Sequence, residues 1–248
     1  MRWCQCLILC AVSSFLLPTK VSSEVIKGVC NEKVVPHCFE DDGKVVGIFV
    51  EVAQEIGARM NLRVDMKPMP MKRILLNMKD GGADITGPLL YSDERAKFVQ
   101  YLSAPVFIIK QAVYGREGDY FPYQTIQDLY GKTVGKRRGF HLEAEFAKAE
   151  KSGKLKVFEA NSFSQLFNLL SKDRVKYIIF PEYMAALNRS QLPSDAVLFG
   201  HLGGELKVFM AISRNSPLAS RYDEMNLVLT EMEADGTLQR IRVKYLPQ

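Results

Sequence analysis

Apolar residues alternate between two periods along this chain. In 46–60 they fall at Val46, Phe49, Val50, Val52, Ala53, Ile56 and Met60, one face of a helix. Before that segment, 24–30 reads as a strand, and after it 62–69 alternates like one. The stretch 71–82 is a short helix stopped by Gly81-Gly82. A short buried strand at 83–87, a helix opening at Ser92 and a long apolar strand at 104–116 complete the first half.

The second half repeats the alternation. Strands are expected at 132–139, 155–160, 175–180 and 205–213, with helices at 140–153 and 161–173 between them. Ser162 and Gln165 have the spacing of a capping box. Pro181 suits the first turn of a helix running to Asn188. The chain closes with two amphipathic helices split by Gly236. Strands alternating with helices predict α/β layers built on mixed, mainly parallel sheets. Ligands in such folds sit beyond the carboxyl ends of strands, beside helix N-termini.

The N-terminus changes the picture. Arg2 precedes an apolar run from Cys6 to Leu17, and Val21 and Ser23 suit cleavage before Glu24. Residues 1–23 therefore read as a secretory signal peptide, since the run is too short to span a bilayer. Its removal leaves 225 residues and takes Arg2, Lys20 and no acid, so the net charge drops from +5 to +3. That mild balance, with no basic stripe interleaved with aromatics, excludes nucleic acid as a partner. Of five cysteines, only Cys30 and Cys38 remain in the exported chain. They form either a local disulfide or two buried thiols. No repeat and no flexible linker divides the chain.

One local pattern conflicts with helix electrostatics. Ser92 is a plausible N-cap, and Asp93 and Glu94 obey the first turn's preference for acids. Arg95, the third residue of the turn, does not. Either it is a solvated arginine carrying a few tenths of a kcal/mol of mismatch, or this end of the helix receives an anion.

Five segments carry a resemblance. They are "PHCFEDDGKVVGIFVEVAQEIGARM" (36–60), "MPMKRILLNMKDGGADI" (69–85), "SDERAKFVQYLSAPV" (92–106), "LYGKTVGKRRG" (129–139) and "EADGTLQRIRVKYL" (233–246). In that order they resemble the extracellular solute-binding proteins of family 3, the periplasmic amino-acid receptors of ABC importers. The resemblance implies a two-lobed periplasmic-binding-protein type II fold whose lobes close on a solute. Lobe one would comprise 24–109 with 207–248 and lobe two 113–203, joined by crossing strands near 107–112 and 204–209. It further implies a periplasmic monomer that binds a small carboxylate-bearing solute, an amino acid or related organic acid, for an inner-membrane ABC permease. No cofactor and no metal are implied.

The resemblance also distributes roles. In the family an arginine of a T-x-x-R segment pairs with the ligand α-carboxylate, and Ser92-Asp93-Glu94-Arg95 matches it with Ser for Thr. A guanidinium fork grips a carboxylate by two parallel hydrogen bonds. The family's ammonium-binding acid maps to Glu182, and its second-lobe helix start to Gly139, followed here by Phe140 and His141. Asn31, Ile48 and Gly87 map beside the solute. The chain departs from the pattern where Asn31 replaces an acid, Val34 an aromatic, Leu90 a serine and Met71 a tryptophan, and Asp84 to Arg95 is one residue short. Some relatives on this fold are dehydratases of cyclic acids, and Glu182 with His141 would supply an acid and a base. A sensory module for a membrane receptor is a further alternative. Against catalysis, no nucleophile elbow, zinc motif or phosphate loop is present.

Overall fold

The computed structural model describes residues 25–32, 34–138 and 142–246. Strand β1 (Val25–Asn31) is followed by a small hairpin, β2 (Phe39–Asp41) and β3 (Lys44–Val46), and by helix α1 (Ile48–Arg59). Next come β4 (Arg63–Met69), α2 (Met71–Asp80), β5 (Ile85–Leu90), the single turn α3 (Asp93–Ala96), β6 (Val99–Tyr101) and β7 (Phe107–Arg116). The chain continues through β8 (Thr133–Arg137), α4 (Ala144–Lys151), β9 (Lys156–Ala160), α5 (Phe163–Ser171), β10 (Tyr177–Pro181) and α6 (Tyr183–Leu187). It ends with β11 (Ala196–Ser213), α7 (Tyr222–Ala234) and α8 (Thr237–Tyr245).

The strands line up as β4-β1-β5-β11-β7-β10-β8-β9, with β6 beside β11. The outer pairings β1-β4, β1-β5, β8-β10 and β8-β9 are parallel. The pairings made by β7 and β11 are antiparallel. Two long antiparallel strands thus connect two parallel α/β units; the parallel units are what the strand-helix alternation predicts, and the connecting strands what the resemblance implies.

Apolar packing follows the same division. One cluster gathers α1, α7 and α8 over the β1-β4 side, with Phe49, Val52, Ile56, Leu229 and Leu238 fully or nearly fully buried. A smaller cluster on the opposite face includes Ile74, Met78 and Leu89. Two others are built from residues 112–202, one around Phe167 and Phe180 and one around Phe146 and Leu129. Tyr183, at the start of α6, packs on both the α1 cluster and the Phe167 cluster.

Local chemistry explains most element ends. Gly81 ends α2 at φ 73° and Gly236 precedes α8 at φ 77°, backbone that L side chains rarely adopt. The Ser162 hydroxyl accepts from the Gln165 amide at 3.1 Å, and the Gln165 side chain accepts from the Asn161 amide at 2.7 Å. Three expectations need correction. Pro181 closes β10 instead of opening α6, because its neighbour Gln111 on β7 continues the pairing. The strand expected at 205–213 begins at Ala196 and runs for 18 residues, since β7 supplies a partner to a segment that glycines interrupt. The helix at Ser92 is only four residues long, and the Ser92 side chain makes no capping bond.

Cys30 and Cys38 are joined, with an S–S distance of 2.02 Å and Cα atoms 6.2 Å apart, and both are fully buried. The bridge ties the end of β1 to the segment leading into the hairpin. Closing so short a loop in the unfolded chain is worth about 2–3 kcal/mol. The double variant Cys30→Ala/Cys38→Ala is expected to lose that much, measured by urea unfolding; an unchanged midpoint and slope would refute the estimate.

Candidate functional site

Arg95 lies on α3, beside the carboxyl end of β5. Its Nη1 donates to the Leu90 carbonyl at 2.9 Å, and the Tyr101 hydroxyl donates to the same oxygen at 3.0 Å. Arg95 is half-buried. Among the described residues it has no carboxylate within ion-pair distance, although Asp93 and Glu94 are its near neighbours in sequence. Asp93 instead accepts from the Tyr91 hydroxyl at 2.9 Å. The guanidinium is thus a partly desolvated charge whose fork retains free donors. A turn of four residues supplies little dipole, so any anion held here is held by the guanidinium itself.

Glu182 lies at the other end of the crossing strands. Its amide donates to the Lys110 carbonyl at 2.9 Å, which fixes α6 against β7. His201 Nε2 stands 3.0 Å from its carboxylate Oε2. With Phe107, Lys110, Tyr183, Glu205 and Arg242 it lines a cavity of about 700 Å³. Arg95 does not line that cavity, so the two residues given the ligand's charged ends stand in separate places. Ser92 is half-buried next to Arg95. Asn31 ends β1, half-buried and paired with Met69. Ile48 is 0 % exposed, with its side chain in the core. Gly87 is buried so tightly that a Cβ there would stand 2.5 Å from the Phe49 ring. Phe140 and His141 lie outside the described residues, as does Gly139.

Features that sequence reasoning missed centre on the crossing strands. Leu202 pairs with Gln111 and Leu206 with Ile109, so β11 has three residues, Gly203, Gly204 and Glu205, where β7 has only Lys110. Such a bulge bends the strand and needs permissive backbone. Gly203 sits at φ 65°, and a Cβ on it would lie 2.1 Å from the Glu143 carboxylate. Burial, and then the neighbouring Glu145, push the Glu143 carboxyl up. The glycine pair was the available signal for this bulge. Nearby, the His37 ring is 2 % exposed among Phe107 at 4.6 Å, Tyr183 at 5.4 Å and Phe49 at 5.7 Å. Among the described residues neither of its nitrogens has a hydrogen-bond partner, and burial lowers its pKa to about 4. Burial also pushes Tyr183 up to about 12.

Among the described residues, no group of three His, Cys, Asp or Glu side chains is placed to hold a metal ion. None of their helices is long and apolar enough to cross a membrane.

Two α/β units joined by a pair of antiparallel strands, with an arginine beside the junction that has no carboxylate partner among the described residues, are the form of a two-lobed solute receptor. The chain belongs to the bacterial extracellular solute-binding proteins, family 3, whose pattern it matches over residues 26–248. It is 24% identical to the L-cystine-binding protein TcyJ of Escherichia coli over 213 residues, 85% of this chain and 78% of that one. It is 23% identical to the arginine-binding extracellular protein ArtP of Bacillus subtilis over 220 residues, 85% of this chain and 81% of that one. Among solved structures, an ancestral arginine-binding protein bound to arginine superposes with a TM-score of 0.66 at 26% identity, covering 89% of this chain and 97% of its own. The extracellular-binding protein ytmK of Bacillus subtilis reaches a TM-score of 0.75 at 20% identity, covering 90% and 98%. The family consists of receptors that bind solutes outside the cytoplasmic membrane, and the dehydratase alternative is set aside.

Proposed function

We propose that this protein is a periplasmic receptor, exported by the cleaved signal peptide 1–23, that binds one amino acid between two lobes and hands it to an inner-membrane ABC permease as a monomer. Lobe one is 24–109 with 207–248, lobe two is 113–203, and the crossings near 107–112 and 204–209 act as the hinge. The observation that carries the reading is Arg95, a half-buried cation without a counterion among the described residues. A carboxylate supplied by the solute completes it, with Ser92 beside it as a further donor. Closure brings lobe two, with Glu182 and the Phe140-His141 segment, toward the amine; Asn31, Ile48 and Gly87 shape the opposite wall, the last two through their backbone. Relatives that bind L-cystine or arginine support an amino acid over other organic acids.

Thermal-shift screening of the mature chain against amino acids and simple carboxylic acids tests this. A ligand that binds only the native state, at a hundred times its dissociation constant, stabilises by about 2.7 kcal/mol, a shift of several degrees. At least one α-amino acid is expected to do so while the matching amine and the matching deaminated acid do not. A screen in which amino acids leave the melting temperature unmoved removes the reading.

A further inference from the structure

Strands β8, β9 and β10 run parallel, so their first residues lie together at one end of the sheet. Thr133 pairs with Lys156, Gly131 donates to the Lys154 carbonyl at 2.8 Å, and the Lys154 amide donates back to Ala149 in α4 at 3.0 Å. That topology brings Lys132, Lys148, Lys151, Lys154 and Lys156 into one corner, where the sheet ends with β9. Lys132 is half-buried and the other four are exposed.

The charge of this corner is not cancelled. Among the described residues none of the five lysines has a carboxylate within ion-pair distance. The nearby Glu150 is taken by Lys136 at 2.7 Å, and Asp119 and Asp173 are taken by Lys176. Aromatic faces hold the lysines instead. Lys132 Nζ lies 5.1 Å from the Phe121 ring centre, Lys154 Nζ 4.9 Å from Tyr130 and Lys156 Nζ 5.7 Å from Phe158. A ring attracts a cation through its quadrupole and leaves the net charge in place. The acids of the corner are Glu145 and Asp128, which accepts from the Gln124 and Thr125 amides and lies in the field of Lys132. Five lysines against two acids leave an excess of three, equal to the whole net charge of residues 24–248. The rest of the chain is balanced.

Ordinary structural roles explain part of this. Cations in the last turn of α4 complement its dipole, and a lysine on an edge strand discourages strand pairing. Those roles cover Lys148, Lys151 and Lys156 but not Lys132 and Lys154. Beside Tyr130, Lys148 and Lys154 border a hollow of about 330 Å³, a recess that admits a phosphate headgroup.

We propose that this corner is a docking surface for an anionic phospholipid bilayer, with the lysine ammonium groups lying among phosphate headgroups. Lysine suits a diffuse surface as a point charge on a flexible stem, whereas the arginine fork selects single carboxylates or phosphates. Clusters of about four to eight cations are retained by anionic membranes, each lysine adding roughly fivefold to the partition. The rings lie under their lysines and offer bases no free face to stack on, which disfavours nucleic acid. Glu182 follows the opposite end of β10, so docking leaves the junction of the two units uncovered. Docking here is independent of what that junction binds.

The test is co-sedimentation of the mature chain, in low-salt buffer, with vesicles of equal parts phosphatidylglycerol and phosphatidylcholine. Vesicles of phosphatidylcholine alone are the reference. Wild type is expected to sediment with the first and not the second, and to be released as salt rises through about 0.15 M. Lys132→Gln/Lys154→Gln/Lys156→Gln is expected to lower the partition by about twentyfold or more, without a change in melting temperature. Lys148→Gln/Lys151→Gln, on the exposed face of α4, serves if the triple variant does not fold and is expected to lower it by about fivefold or more. Lys27→Gln/Lys72→Gln/Lys79→Gln removes the same charge from exposed positions on the other unit and is expected to lower it less than about threefold. Equal losses in the two triple variants, or no binding of wild type to anionic vesicles, overturn the proposal. Retention of wild type on immobilised polyglutamate without binding to vesicles also overturns it, and assigns the corner to an acidic protein.

Discussion

Arg95→Ala is expected to weaken solute binding by more than a hundredfold and to leave the fold intact. Among the described residues the guanidinium holds the Leu90 carbonyl and meets the Tyr101 hydroxyl at the edge of the fold, so truncation removes little that holds the structure together. A charged, two-pronged hydrogen bond to a carboxylate in a closed site is worth about 3 kcal/mol, and every 1.4 kcal/mol is a factor of ten in affinity. Lys97→Ala, two residues on and exposed, is the control and is expected to change affinity less than twofold. Circular dichroism melts confirm folding, and isothermal titration with the solute found by screening reads the affinity. Parallel affinities for the two variants would place Arg95 among ordinary solvated arginines and remove the carboxylate site.

His37 predicts an effect of similar size on stability. Its folded-state pKa of about 4 lies below the ordinary 6.5, and the cause is burial among Phe49, Phe107 and Tyr183, with no polar partner among the described residues. The unfolded chain therefore binds one more proton than the folded chain between those two pH values. Stability is fully present above pH 6.5, falls as the pH drops through the window, and stops falling on this account near pH 4. Integrated over the window, the loss is about 3 kcal/mol. Tyr183, the titratable group facing the ring, stays neutral throughout, because its own pKa is near 12. His37→Leu keeps an apolar side chain in the same space and removes the proton site. Urea unfolding of both proteins from pH 7 to 4 should show the wild type losing about 3 kcal/mol more than the variant. Parallel curves would mean that the imidazole finds water or a partner in solution.

Much of the fold was legible in the sequence because period and punctuation agree. The seven apolar positions of 46–60 give α1, Gly81 gives the end of α2, and Ser162 with Gln165 gives the start of α5. What escaped is what tertiary pairing decides. Residues 196–204 are interrupted by three glycines, yet β7 holds most of them in a ladder. The hairpin of β2 and β3 and the short β6 are likewise strands made by their partners. The site was legible in parts. Arg95 stood out because it broke a local electrostatic rule, whereas His37 offered no sequence signal. A histidine between proline and cysteine becomes informative only when burial and absent partners are known.

On the export route proposed above, the path of the chain through its cores sets an order of assembly. The α1 cluster draws on residues from Ile26 to Phe107 and again from Val208 to Ile241. Those around Phe167 and Phe146 need only residues 112–202. As the chain emerges amino end first, α1 and β5 appear early but wait for α7, α8 and β11, while the middle of the chain already holds everything it packs against. The middle is therefore complete before the beginning, and the last forty residues to arrive close the unit whose first strand left the membrane long before.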